Sequence, residues 1–214
     1  GPSEFFCDMD STLILEEMID EVAKLQGLDQ KIHQLTEAAM QGKISFLEAF
    51  KKRISLLKDT PLKVLEQVAT KATPQTGVIE LITLLKIHHI PTCIVSGGFF
   101  PTLEVLRQRL GIDRVYGNLL EIQDQKLTGN ILGSIFGAEE KAHILQISHS
   151  QHKSVVAVGD GANDIPMLKL AQEYPGSLGI AYRAKPKVKQ AISHHLDHNS
   201  FFVFTALWPF FYHK

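Results

Sequence analysis

The sequence predicts an α/β protein: a parallel sheet covered by helices on both faces, a block of helices inserted after the first strand, and a small β-hairpin further along. Three observations carry this. Short apolar runs at Glu4 to Met9, Pro91 to Val95, Ser154 to Val158 and Ser177 to Ala181 alternate with helical patterns, as strands do when both faces of a parallel sheet are covered. From residue 14 to residue 75 the signals are helical throughout, which separates the first strand from the rest of the sheet. Between Val115 and Phe136 the stretch LEIQDQKLTGNI sets two β-like runs about a turn centred on Asp124-Gln125.

The elements follow in order. Gly1-Pro2-Ser3 looks like the remnant of a cleaved tag and carries no targeting signal. Residues 4–13 and 76–214 read as the core domain and 14–75 as an inserted helical cap. Within the cap, Gly27 and Gly42 read as helix stops. Ser45-Phe46-Leu47-Glu48 is a capping box that opens a helix to about Leu57. The HHLDH stretch at 194–198 reads as a solvated loop rather than a metal site. The aromatic stretch from Phe201 to Tyr212 is too short to span a bilayer, which needs about 20 residues. It is expected to pack on the core, or otherwise to contact a second copy of the chain in a homodimer.

Composition bounds the function. Of 214 residues, 44% are hydrophobic, and 22 Lys+Arg balance 23 Asp+Glu to a formal charge of −1, so nothing marks a nucleic-acid or membrane partner. A small-molecule partner is expected. Cys7 and Cys93 lie in separate strands with no Cys/His cluster near either, which points to buried free thiols and a cytoplasmic protein.

Chemistry gathers at strand ends, where open α/β sheets bind ligands. The first strand runs into Asp8-Met9-Asp10-Ser11-Thr12. Strand alternation would put Asp8 and Asp10 on one side, where like charges repel unless a cation or substrate uses them. The second strand ends in Ser96-Gly97-Gly98, and the third in Gly159-Asp160-Gly161-Ala162-Asn163-Asp164 before a helix. Lys141 shares a helix face with Ile144, Leu145 and Ser148, an inward position that wants an anion. Asp8, Asp160 and Asp164 are oxygen ligands suited to a hard divalent cation, magnesium above all. Ser96, the glycine amides and Lys141 are donors suited to a phosphate, and Asp10 is left for proton transfer. Singly these are ordinary turn, loop and surface residues; their joint order is what points to a site. On the cap helix, Phe46, Phe50, Arg53 and Leu57 share a face, where Arg53 is either a snorkelling residue or a fork for a carboxylate.

DMDST (8–12), SGG (96–98), Lys141 and GDGANDIPML (159–168) resemble the four ordered motifs of the haloacid dehalogenase-like phosphatases, with their Rossmann-like sheet. The fuller run, with DMDSTLILEEMIDE, AMQGKISFLEAFKKRISLLK and KLTGNI, resembles the phosphoserine phosphatase family over residues 4 to 192. That resemblance implies hydrolysis of phosphoserine to serine and phosphate through an aspartyl-phosphate. Asp8 would be the nucleophile and Asp10 the acid and base. Magnesium would be held by Asp8, Asp160 and the Asp10 backbone carbonyl, with Asp164 in support. Ser96, Gly97, Lys141 and Asn163 would hold the phosphate, and Glu17, Met40, Phe46 and Arg53 the rest of the substrate. It leaves out the regulatory domain that members often carry ahead of the first strand. Hydrolysis of another small phosphomonoester, phosphoryl transfer to an acceptor hydroxyl, and a receiver-like phospho-acceptor module are the alternative readings.

Overall fold

A single sheet organises the molecule, and its strand order brings the polar strand ends together. The computed structural model describes residues 2–149 and 154–211, with side chains to residue 206. Its strands are β1 (Glu4–Cys7), β2 (Thr92–Phe99), β3 (Arg114–Gln123), β4 (Lys126–Leu132), β5 (Val155–Gly159), β6 (Leu178–Tyr182) and β7 (His194–Leu196), in the order β4-β3-β2-β1-β5-β6-β7. All neighbours are parallel except the β3–β4 hairpin. With β1 between β2 and β5, the residues that follow these three strands emerge side by side, at the switch in strand order where ligands bind.

Alternation along the strands divides the core into two layers. Phe5, Cys7, Ile94, Val156 and Val158 face one side. There they meet α5 (Val78–Ile87) and α6 (Phe100–Leu110), together with Phe201 and Phe204 at the start of α10 (Phe202–Phe211). Phe6, Cys93, Val95, Val155 and Ala157 face the other, against α7 (Ala138–His149), α8 (Ile165–Glu173) and α9 (Pro186–Ala191). The two thiols are therefore buried on opposite faces, and burial pushes both upward in pKa.

Four helices fill the segment between β1 and α5: α1 (Met18–Gln26), α2 (Asp29–Met40), α3 (Phe46–Leu56) and α4 (Leu62–Lys71). Gly27 closes α1 in the left-handed region (φ 66°), and the Ser45 hydroxyl caps α3 by accepting the Glu48 N–H at 3.1 Å. The chain enters and leaves this block through one short antiparallel crossing. Leu15 N–H bonds Thr73 O and Gln75 N–H bonds Leu13 O, both at 2.9 Å, while the Glu16 carboxylate accepts the Thr73 N–H. Arg109 of α6 donates to the carbonyls of Ala69, Thr70 and Ala72, satisfying the open C-terminal end of α4. The hairpin also touches the block: Asp59 N–H bonds Leu127 O and Leu127 N–H bonds Thr60 O.

Three expectations need correcting. β1 stops at Cys7, because the Asp8 N–H bonds Val158 O and the chain then turns through a wide loop at Met9–Leu13 with Ser11 at φ 57°. Asp8 and Asp10 thus come to one site through a turn, not through strand alternation. The SGG segment lies inside β2, which continues to Phe99. The histidines at 194–195 are not in a loop: His194–Leu196 pairs with Ile180–Tyr182 as an edge strand, and a short, exposed, polar edge carries no apolar signal to read. Other expectations hold. The hairpin turns at Asp124 and Gln125, both with positive φ (50° and 61°), as a two-residue turn of this hand requires. Phe201 stacks edge-on against Tyr182 at 4.8 Å and Phe204 against Phe5 at 5.8 Å, so the aromatic stretch packs on the core at its start. Phe202 of the same stretch is 44% exposed, the side chains beyond residue 206 lie outside the described ones, and Tyr212 lies outside the described residues. Among the described residues no helix is long and apolar enough to cross a membrane.

Candidate active site

At the ends of β1 and β5, three carboxylates and one ammonium group are packed out of solvent. Lys141 Nζ donates to Asp8 Oδ1 at 2.8 Å and to Asp164 Oδ1 at 2.7 Å, and none of its side chain reaches water. The other Asp164 oxygen accepts the Gly161 N–H at 2.9 Å. Asp160 Oδ1 accepts the Thr12 hydroxyl at 2.8 Å. Gly159 has to be glycine: a Cβ there would sit 2.4 Å from Asp164 Cγ. Asp8, Asp160 and Asp164 each offer an oxygen within 4.8 Å of the others, a buried all-oxygen set that fits a hard divalent cation. The Asp10 carboxylate is not part of this set; it accepts the Met18 N–H at 3.1 Å.

Charge balance gives the same reading. Burial lowers the Lys141 pKa, but Asp164 and Asp8 outweigh it and hold the pKa above the usual lysine range. The Asp8 carboxyl is nevertheless pushed up to about 7, by burial and by the charge of Asp164, in spite of its bond to Lys141. The two partners shift the same way because one ammonium is divided between two carboxylates, and Asp160 adds a third. Burial also raises Asp160. A site short of positive charge by this margin is one that a metal cation would complete.

Asp10 sits beside the SGG segment. A Cβ on Gly98 would lie 2.9 Å from Met9 Cε and 3.4 Å from Asp10 Oδ2, so a side chain there would crowd the carboxylate. The Asp10 pKa is raised well above the ordinary value by burial, with Glu17 and Asp8 adding to it. Ser96 is buried, and its hydroxyl oxygen accepts the Gly98 N–H at 2.9 Å, which leaves its proton to be donated elsewhere. Asn163 reaches toward the same segment, with Nδ2 3.8 Å from the position a Gly97 Cβ would take.

A family model described as haloacid dehalogenase-like hydrolase matches residues 5–169, and a second of the same description matches residues 138–201. The chain belongs to the haloacid dehalogenase-like hydrolases. Among relatives in this family, the phosphoserine phosphatase of Archaeoglobus fulgidus is 44% identical over 186 residues, 85% of this chain and 53% of that protein. The chain therefore spans about half the length of that relative. The phosphoserine phosphatase of Methanocaldococcus jannaschii is 39% identical over 86% of either chain. A solved phosphoserine phosphatase, described as a phospho-aspartyl intermediate analogue, superposes with a TM-score of 0.82 at 34% identity and covers 98% of both chains. The family resemblance read from the motifs is borne out, as is the α/β fold.

Among the helices between β1 and α5, the expected substrate residues are arranged unevenly. Glu17 keeps solvent contact and accepts the Ser11 hydroxyl at 2.8 Å; crowding by protein raises its pKa. Arg53 is partly buried, with its guanidinium 5.8 Å over the Phe50 ring. Burial lowers its pKa, against the pull of Asp20 and Glu17, and its Nε is buried with no hydrogen-bond partner among the described residues. Phe46 stacks on Phe50 at 6.3 Å but is 58% exposed, and Met40 is 82% exposed. The structure brings Phe46, Phe50 and Arg53 together; Met40 stands apart from them in its solvent contact.

Sequence reasoning passed over several contributors to the site. Thr12 lies within the quoted DMDST motif, yet nothing in the string says that its hydroxyl supports Asp160. Lys185, 3.9 Å from Asp160 Oδ2, comes from a loop with no motif at all. Asn118 of β3 bonds the backbone of Gly97 and Phe136, and only the folded register brings it there.

Proposed function

We propose that the chain is a magnesium-dependent phosphoserine phosphatase, with α1 to α4 (residues 14–75) serving as a lid over a core formed by residues 4–13 and 76–214. The observation that carries this is the buried Asp8–Lys141–Asp164 bridge beside Asp160, a nucleophile-grade carboxylate set among groups that want both a cation and an anion. The carboxylates of Asp8 and Asp160 and the Asp10 carbonyl would hold the magnesium ion, with Asp164 in support. When bound it supplies the positive charge that offsets the crowded carboxylates and the phosphate.

An Asp8 oxygen attacks phosphorus as the bond to the seryl oxygen breaks, giving an aspartyl-phosphate and splitting one displacement into two. Asp10, whose pKa burial and the neighbouring Glu17 and Asp8 raise in the direction a proton donor needs, gives its proton to the departing seryl oxygen. It then takes one from the water that attacks the phospho-enzyme, which restores Asp8 and releases phosphate. Ser96, the Gly97 amide, Lys141 and Asn163 hold the equatorial oxygens in place for in-line transfer.

The substrate assignment leans on Arg53. Its buried Nε without a partner costs stability unless a ligand supplies an acceptor, and a carboxylate meets the guanidinium in a two-bond fork. Glu17 takes the ammonium group of the same substrate, while Phe46 and Met40 supply apolar surface that becomes covered as the lid shuts. The relatives named above support this reading through their own activity. A panel of phosphoserine, phosphothreonine and phosphoethanolamine assayed with magnesium tests it. Phosphoserine should have the highest kcat/KM; equal or better use of phosphoethanolamine would refute the amino-acid assignment, and phosphate passed to an added alcohol in place of water would make the chain a phosphotransferase.

A further inference from the structure

Between β2 and β3 the ladder lapses at the phosphate segment. Val95 pairs with Tyr116 and the next pair is Phe99 with Asn118, so β2 advances by 99 − 95 = 4 residues while β3 advances by 118 − 116 = 2. The two surplus residues of β2 fall within Ser96-Gly97-Gly98, which stands opposite Gly117 alone and is pushed out of regular pairing as bulges are beside many sites. A bulge takes ladder partners from its backbone, and buried carbonyls without partners are costly. Asn118 replaces them.

The Asn118 side chain is 1% exposed, so water has no access to take over its role. Its Nδ2 donates to Gly97 O at 2.9 Å, with Gly98 O at 3.5 Å, and to Phe136 O at 3.1 Å. Its Oδ1 accepts the Phe136 N–H at 2.8 Å. This pattern fixes which end of the amide is which, since a flipped group would set NH2 against N–H. Phe136 leads into the helix that carries Lys141: Gly137 O accepts the Lys141 N–H at 3.1 Å, and the Gly137 N–H is capped by Glu140 at 2.8 Å. One buried amide therefore ties the phosphate segment of β2 to the start of α7.

We propose that Asn118 is a positioning residue for phosphate binding, which locks Ser96-Gly97 and the Lys141 helix into a single rigid anion clamp. By holding the Gly97 carbonyl inward, it turns the neighbouring peptide edge and the Ser96 hydroxyl toward the phosphoryl group. The proposal rests on the phosphatase reading above for the identity of the anion, but it can be tested without phosphoserine. Orthovanadate, which needs the clamp and not the cap residues, is the probe.

The test is a double-mutant cycle on orthovanadate affinity in magnesium, read by calorimetry, using Asn118→Ala, Ser96→Ala and the pair. If Asn118 acts through the clamp, Asn118→Ala weakens orthovanadate by about tenfold or more, and that loss falls below about threefold once Ser96 is gone, because coupled neighbours are not additive. Equal losses in both backgrounds would overturn the proposal, since a general weakening of the fold adds to the loss of Ser96. If the alanine variant does not fold, the intact protein answers by NMR. The two Asn118 side-chain amide protons should be protected from exchange and should shift on adding orthovanadate; rapid exchange with no shift would overturn it. A failure to hydrolyse phosphoserine with the cycle intact would count against the substrate assignment alone.

Discussion

Removing the positive charge of Lys141 should cost stability as well as phosphate binding. In Lys141→Met the side chain keeps its length and apolar stem, but the Asp8 and Asp164 carboxylates, both buried, lose the group that bonds them at 2.8 and 2.7 Å. Breaking a buried ion pair from one side costs about 3–5 kcal/mol, and since one ammonium serves both carboxylates the two contacts do not double that figure. For a chain of this size each kcal/mol lowers Tm by about 2–4 °C, so a fall of roughly 6–20 °C is expected in EDTA at pH 8. The sign with pH follows from Asp8. Its folded-state pKa, about 7, lies above the ordinary value of 3.8, so the folded protein takes up a proton that the unfolded chain does not. Stability then declines as pH rises through that window, and without Lys141 the decline steepens. The variant's deficit should be smaller at pH 5, where Asp8 is protonated, than at pH 8. Magnesium, as a replacement cation among the same carboxylates, should recover part of the loss at pH 8. A fall under about 2 °C in EDTA, or a deficit that magnesium leaves untouched, would refute the charge-deficit account of this site.

Three further outcomes are expected. Arg53→Ala should lower kcat/KM for phosphoserine by an amount on the order of 2–5 kcal/mol while sparing phosphoethanolamine, so the ratio of the two falls at least about tenfold; a parallel fall would make Arg53 a structural support. Calcium should occupy the Asp8, Asp160 and Asp164 set yet fail to support turnover, because its larger coordination number lets the Asp8 carboxylate bind through both oxygens and ties down the attacking one; full activity with calcium alone would contradict this. Arg109→Ala should free the carbonyls of Ala69, Thr70 and Ala72 and lower stability by about 1–2 kcal/mol, discounted for the exposure of the arginine, and an unchanged melting temperature would show that water caps α4 equally well.

What was legible in the sequence, and what was not, divides along a physical line. Strands buried on both faces announce themselves as apolar runs, so β1, β2, β5 and β6 could be found to within a residue or two of their starts. Helix stops at Gly27 and the cap at Ser45 were legible because each depends on the chemistry of one local residue. So was the inward lysine, because Lys141, Leu145 and Ser148 share a helical face. The β7 edge strand was not, since HHL is exposed and pairs on one side only. Nor was the continuation of β2 through Ser96-Gly97-Gly98, because a bulge is a relation between two strands and leaves no mark in either alone.

The same distinction explains why the proposed reacting groups were easier to find than the groups that hold them. Asp8, Asp10, Ser96 and Asp160 follow an apolar run and Lys141 sits on the inward face of a helix, so each is marked by its own local stretch even where a turn or a bulge completes its path to the site. The supports act across the fold: Thr12 on Asp160 over 148 residues of sequence, Asn118 on Gly97 over 21 and on Phe136 over 18. Their residue types are common and their spacing is free, so only the register of β1, β2, β3 and β5 selects them. It follows that a second protein could share the four motifs and still bind phosphate poorly if its β3 offered an apolar side chain where this one offers Asn118. Grafting the motifs without that partner would leave the Gly97 carbonyl buried and unpaired, and the chain would relieve the cost by turning the peptide, which moves the donors away from the anion they are meant to meet.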